Sequence, residues 1–188
     1  MSNTKVLKQR IRSAASTKQI TKAMELVAAS KLRRVQDAAR ASRAYSQIAY
    51  SILHRVSAAT EVKQHYYFTA PKKMSHKLYV IFSSDRGLAG AFNSNLQSTT
   101  LKAIHADKQA GINTDVVVFG RRGGRFFAKL SDVSLKAVYD QIDDAPNPEV
   151  FAPLFNMIDE GVKSGTYQEV NLVYTEFKNT LLQEVKLR

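Results

Sequence analysis

No Gly and no Pro occurs between Lys5 and Thr60, and alanine and long polar side chains dominate the stretch. Such residues lose little rotamer freedom in a helix, and the two residues that most readily break one are missing. The expectation is a single continuous helix, with Thr4 placed to cap its start. At 1.5 Å per residue it would run about 80 Å, longer than a compact domain can cover.

Along this segment Ile20, Met24, Val27, Val35, Ala38, Tyr45, Ile48, Ile52 and Val56 recur at spacings near three and four, interrupted at Lys31 and Ser42. That period predicts a coiled-coil-type seam awaiting a partner helix. Ala23, Ala28, Ala29, Ala39, Ala41, Ala44 and Ala49 flank it and would let another helix approach closely. An apolar stripe usually packs on its own domain, but the length argues against that here.

Charge points the same way. The 188-residue chain has a formal net charge of +12, and residues 1–60 hold twelve Lys and Arg against only Glu25 and Asp37. A sequence pI near 9.9 calls for a partner that is anionic over an extended surface: nucleic acid, anionic lipid or an acidic protein cavity. Proteins that read bases or single strands usually add aromatic side chains, and none occurs between Met1 and Ala44. An exposed apolar seam among the cations favours a protein groove, acidic at its mouth and apolar within. A basic helical nucleic-acid-binding protein is the alternative reading.

After Pro71-Lys72-Lys73 the pattern changes to short apolar runs alternating with helical segments. Strands are expected from Lys77 to Ser83, at Asp115–Phe119, at Glu169–Thr175 and over Leu181–Leu187. Helices are expected from Asn93 to Gln109, over Arg125–Leu130 and from Pro148 to Lys163. The fold class is therefore α/β: a long N-terminal coiled-coil-type helix (1–62), a linker (63–76), and a Rossmann-like domain with a mostly parallel sheet (77–188).

The chemistry-bearing residues do not converge. Absent cysteine excludes disulfides and thiolate chemistry. His54, His65, His76 and His105 are scattered without metal-ligand spacing. Ser83 and Ser84 lack the context of an exposed nucleophile, and the acids form no catalytic pair. The loop from Ser83 to Asn93 follows a strand and precedes a helix, where phosphates often bind. Its G-x-x-G spacing matches neither a dinucleotide fingerprint nor a phosphate-binding loop, so Gly87 and Gly90 read as shaping a tight turn. Gly120-Arg121-Arg122-Gly123-Gly124-Arg125 reads as a surface turn with solvated arginines. No cofactor, no catalytic site, no signal peptide and no membrane span are expected.

Three motifs carry a resemblance: Arg10-Ile-Arg-Ser13, the run from Lys18 to Arg33, and Ser84-Asp-Arg-Gly-Leu-Ala-Gly-Ala-Phe-Asn93. In order and spacing they resemble the gamma subunit of F-type ATP synthases over nearly the whole chain. The resemblance implies a non-catalytic rotor in the central stalk of a proton-translocating synthase. Implied partners are the alpha and beta subunits, the epsilon subunit and the ring of c subunits, with no nucleic acid and no direct membrane insertion. It also implies a peripheral location on the cytoplasmic face of a bacterial cell membrane. By matching position, Lys18, Lys22, Met24, Val27, Lys31, Arg33 and Arg34 fall on the hexamer-contacting segment, and Ser84, Asp85, Arg86, Gly87, Gly90 and Asn93 form the signature loop. Family members continue into a second shaft helix, whereas this sequence stops at Arg188 in strand-like sequence.

Overall fold

The computed structural model describes residues 2–58, 65–71, 73–142, 147–179 and 182–188. The chain divides into two compact units, Met1–Thr60 and Glu61–Arg188. The first is one helix, α1, spanning Ser2–Ser57. Ala58 is already in a turn, and 59–62, expected as helix, lie outside the described residues. Because the helix begins at Ser2, Thr4 lies inside its first turn and does not cap it. No described helix is long and apolar enough to cross a membrane.

The second unit is built on a five-stranded sheet of order β3-β2-β1-β4-β5. Its elements in chain order are β1 (His76–Phe82), α2 (Phe92–Gln109), β2 (Asn113–Phe119), α3 (Arg121–Phe127) and β3 (Ser134–Tyr139). A 3₁₀ turn (Pro148–Phe151), α4 (Ala152–Lys163), β4 (Glu169–Phe177) and β5 (Gln183–Leu187) follow. The first four strands pair in parallel, and β5 returns antiparallel to β4.

Near-continuous apolar runs make β1 and β2 central strands, buried on both faces. Alternate side chains split between two cores. Tyr79, Ile81, Val116, Val118 and Val173 pack with Leu96 and Ile104 of α2 and Phe127 of α3. Leu78, Val80, Val117 and Phe119 pack on the other face with Leu154 of α4 and with Tyr167.

Three expectations need correction. β3 was not foreseen; it is an edge strand whose residues alternate between exposed and half-buried, so it lacks the apolar run that marks its neighbours. The Gly120–Arg125 segment is a helix rather than a surface turn: α3 starts at Arg121, four residues ahead of the expected Arg125, and ends at Phe127. Its glycines permit this. A Cβ at Gly123 would meet Ser83 and Val118, and one at Gly124 would meet Val138. Finally, residues 65–69, within the expected linker, form a turn fixed to α4, in which Tyr66 and Tyr67 both donate to Asp159.

Candidate partner-binding surface and signature loop

On α1 every seam residue is exposed: Ile20, Met24, Val27, Val35, Ala38, Tyr45, Ile48, Ile52 and Val56. Tyr45 stands 77% open. At 100° per residue, Met24, Val27, Lys31 and Arg34 lie within about 40° of Ile20, whereas Lys18, Lys22 and Arg33 lie about 160–220° away. The seven residues of the implied contact segment therefore divide between two faces. Met24, Val27, Lys31 and Arg34 share the seam, and Lys18, Lys22 and Arg33 form a basic stripe behind it that Arg40 and Arg43 continue.

Few carboxylates temper that stripe. Lys22 Nζ lies 3.0 Å from Glu25 and Arg40 lies 3.8 Å from Asp37. Exposed pairs of this kind contribute only about 0.2–0.5 kcal/mol each, so the positive potential persists. Several hydroxyls on the helix are satisfied by its own backbone. Thr17 and Thr21 donate to carbonyls one turn back, and Ser42, the polar break in the seam, donates to the Ala39 carbonyl at 3.2 Å. A partner covering Ser42 would strand no donor.

The loop from Ser83 to Asn93 is held from both ends. Asn93 accepts from the Ser84 amide at 3.2 Å and donates to the Ser84 hydroxyl at 2.8 Å; that hydroxyl donates to the Arg86 carbonyl. Asp85 accepts from the Arg121 amide at 2.8 Å, the Ser84 carbonyl from Arg122 N–H, and Ser83 Oγ from Gly123 N–H at 2.9 Å. The first three amides of α3 are thus occupied by this one loop. Phosphate would find no free donors there, and Asp85 puts a carboxylate where an anion would have to sit.

Topology gives a second reason against nucleotide. The strand order switches at β1, between β2 and β4, where open α/β sheets bind ligands. Here β4 turns straight into the β5 hairpin, so that crevice lacks the wall a helix after β4 would form.

Gly90 has φ 54° and Leu88 has φ 61°; the expected role of Gly87 in the turn therefore belongs to Leu88. Gly87 is in the ordinary half of φ, and a Cβ there would sit 3.9 Å from the Arg122 guanidinium. Leu88 is 95% exposed. A surface cleft of about 490 Å³ lies between the loop and α3, lined by Gly87, Leu88, Asn93, Arg122, Arg125 and Lys129 among others. Arg86 projects into solvent. Sequence reading named Ser83 in the loop and Arg122 in the glycine-rich segment but did not foresee that the two segments meet, with Ser83 accepting from Gly123 and Arg122 beside Gly87. Position 83 offers a signal only once α3 is recognised as starting at Arg121.

His76 Nε2 lies 3.2 Å from Asp115, and among the described residues no three His, Asp or Glu could hold a metal ion. Burial alone would push the Asp115 carboxyl up. Hydrogen bonds from Ser134 and Tyr167, with the nearby Lys136 and His76, outweigh it and hold that carboxyl below the usual range. Burial and the Asp115 bond in turn push Tyr167 up to about 12.

A family model described as ATP synthase matches residues 3–188. The chain is 32% identical to the ATP synthase gamma chain of Legionella pneumophila (strain Corby) over 98% of its own length. It is 33% identical to that of Dichelobacter nodosus over the same share. It spans 63% of the length of each of these relatives. Among solved structures, a chain from the central stalk and c-ring of the Tetrahymena thermophila mitochondrial ATP synthase superposes with a TM-score of 0.67. That match has 24% identity and covers 90% of this chain and 70% of the other. The likeness shows that the helix-plus-sheet fold is shared. With a family model spanning residues 3–188, the chain belongs to the ATP synthase family, and the curated relatives it matches there are gamma chains.

Proposed function

We propose that this chain is the non-catalytic central-stalk rotor subunit of a proton-translocating F-type ATP synthase, coupling proton flow through the membrane sector to ATP synthesis by rotation. The observation that carries the reading is α1: 56 residues with an apolar seam on one side and a cationic stripe on the other. A hexamer of alpha and beta subunits, acidic at its mouth and apolar within, is the partner such a helix fits. On this reading residues 1–62 are the shaft, 63–76 the connection, and 77–188 the foot that meets the epsilon subunit and the ring of c subunits. The assembly sits peripherally on the cytoplasmic face of a bacterial cell membrane. The chain itself performs no bond chemistry, and family membership together with the occupied α3 amides supports that assignment.

The test is a competition. The chain is mixed with reconstituted alpha–beta hexamer and with labelled duplex DNA at about 150 mM salt, where phosphate-driven binding is already weakened. Capture by the hexamer, at one chain per hexamer, is the expected result. Preferential binding to duplex would replace the rotor reading with that of a basic nucleic-acid-binding helix.

A further inference from the structure

Eight positions beyond the last helical residue Ser57 lies a four-residue aromatic turn, His65-Tyr66-Tyr67-Phe68. It is closed on itself, because the Phe68 amide donates to the His65 carbonyl at 2.8 Å and the Thr69 amide at 3.1 Å. Its rings pack on one another: His65 stacks on Tyr66 with centroids 4.2 Å apart, and Tyr66 lies tilted against Tyr67 at 4.5 Å. Both tyrosine hydroxyls converge on one oxygen of one side chain. Tyr66 donates to Asp159 Oδ1 at 2.7 Å and Tyr67 at 3.0 Å. The other oxygen of Asp159 takes Lys163 Nζ at 2.6 Å, and that ammonium also stands 5.3 Å above the Tyr66 ring.

A carboxylate can accept all three donors at once. Lys163 first, and the two hydroxyls with it, hold the Asp159 carboxyl down at about 2, so the acceptor stays ionised at any physiological pH. The cluster joins this turn to α4, which is packed into the sheet core through Leu154. Past this junction the chain is next held at Ser75, whose amide and hydroxyl both donate to Gln168 Oε1 at 3.0 Å. The junction therefore lies eight residues closer to the helix, at Tyr67.

We propose that the Tyr66–Tyr67–Asp159 cluster is a mechanical clamp, with Asp159 as its positioning residue, through which force arriving along α1 enters the sheet domain at α4 instead of at the start of β1. Its purpose rests on the rotor reading, but its geometry does not. The physical advantage is stiffness: a free stretch of eight residues, with a contour of about 27 Å at about 3.4 Å per residue, would extend under load by that contour less the span it already covers before transmitting any of it.

The absence of native cysteine makes the test direct. Cysteines introduced by Arg55→Cys and Lys102→Cys, both at exposed positions, serve as the only handles for pulling the full chain in an optical trap. The expected trace shows an early release of less than about 27 Å as the clamp opens, followed by the larger unfolding step of the sheet domain. Asp159→Ala and, independently, the pair Tyr66→Phe with Tyr67→Phe remove the first step and keep the second. A trace with no early step in the unsubstituted chain, or an early step unchanged in both variants, overturns the clamp. Loss of the sheet-domain step would identify a folding defect in one variant, and the other variant then decides. Hexamer capture is measured separately, so a failed rotor reading and a failed clamp give different results.

Discussion

Ser83→Ala removes one hydroxyl that joins the end of β1 to the start of α3. In the native chain Ser83 Oγ lies 2.9 Å from the Phe119 carbonyl and 3.1 Å from that of Gly120, while accepting from the Gly123 amide at 2.9 Å. Phe119 O keeps a partner after the substitution, because the Ser83 amide also donates to it at 2.7 Å. Gly123 N–H does not. Gly123 is buried, so its amide is left dry and unpaired at a cost of about 1–3 kcal/mol. For a unit the size of residues 61–188, that corresponds to a fall of about 4–12 °C in melting temperature. Differential scanning calorimetry of the full chain measures it. Ser94→Ala serves as the control, because that exposed hydroxyl donates only to Ala91 one turn back and should shift the midpoint by less than about 2 °C. A Ser83→Ala midpoint within the control's range would refute the claim that this hydroxyl carries the loop–helix junction.

Four further outcomes follow from the same geometry. Ile48 and Ile52 are already 60% and 52% exposed, so Ile48→Asp with Ile52→Asp should leave the sheet-domain midpoint unchanged while abolishing the self-association that sedimentation should detect for the unsubstituted chain, each side chain being worth about 1.5–3 kcal/mol when covered. Asp115 is held below its ordinary value, so its contribution is present above about pH 4 and is lost as pH falls through the folded value; acid melts should show a shallower decline in Asp115→Asn. Tyr167 is pushed up to about 12 from 10.0, so the folded state keeps its proton longer, and the stability it gives is present below pH 10 and lost as pH rises from there to about 12; Tyr167→Phe should remove that alkaline component. Isothermal calorimetry of the chain with ATP should record no binding heat, and a saturable signal would contradict the occupied amides of α3.

How much of this was legible in the sequence depended on which force set each element. α1 could be read because nothing interrupts it, although its start could not: the expected cap at Thr4 assumed that the helix begins at Lys5. β1 and β2 were readable because central parallel strands bury both faces and so become apolar runs, and β4 because its alternation of Val170, Leu172 and Tyr174 with Asn171 and Val173 is β-branched and apolar enough to mark a strand although Leu172 is exposed. β3 escaped because Ser134, Lys136 and Val138 remain exposed along a free edge, leaving only Leu135, Ala137 and Tyr139 half-buried to mark it. α3 was misplaced because Gly120, Gly123 and Gly124 look like a flexible turn when taken alone. Their smallness answers to Ser83 and Val138, contacts formed by segments distant in the chain. The same holds for the candidate site. The seam and the cations of α1 were visible one by one, but the separation of Lys18, Lys22 and Arg33 from Lys31 and Arg34 emerges only from the helical angle. The Tyr66–Asp159 clamp spans 93 residues and left no local signature.

The most direct measurement of the central claim is amide hydrogen exchange along α1, with the chain free and then bound to the alpha–beta hexamer. If the helix is a shaft inserted in that hexamer, amides from Lys18 to Arg34 should gain protection of at least about tenfold, equivalent to 1.4 kcal/mol. The sheet strands β1 and β2, already buried in the free chain, should exchange at the same rates in both states. Equal exchange of residues 18–34 in the free chain and in the complex, or protection confined to the sheet domain, would contradict the assignment of α1 as the shaft.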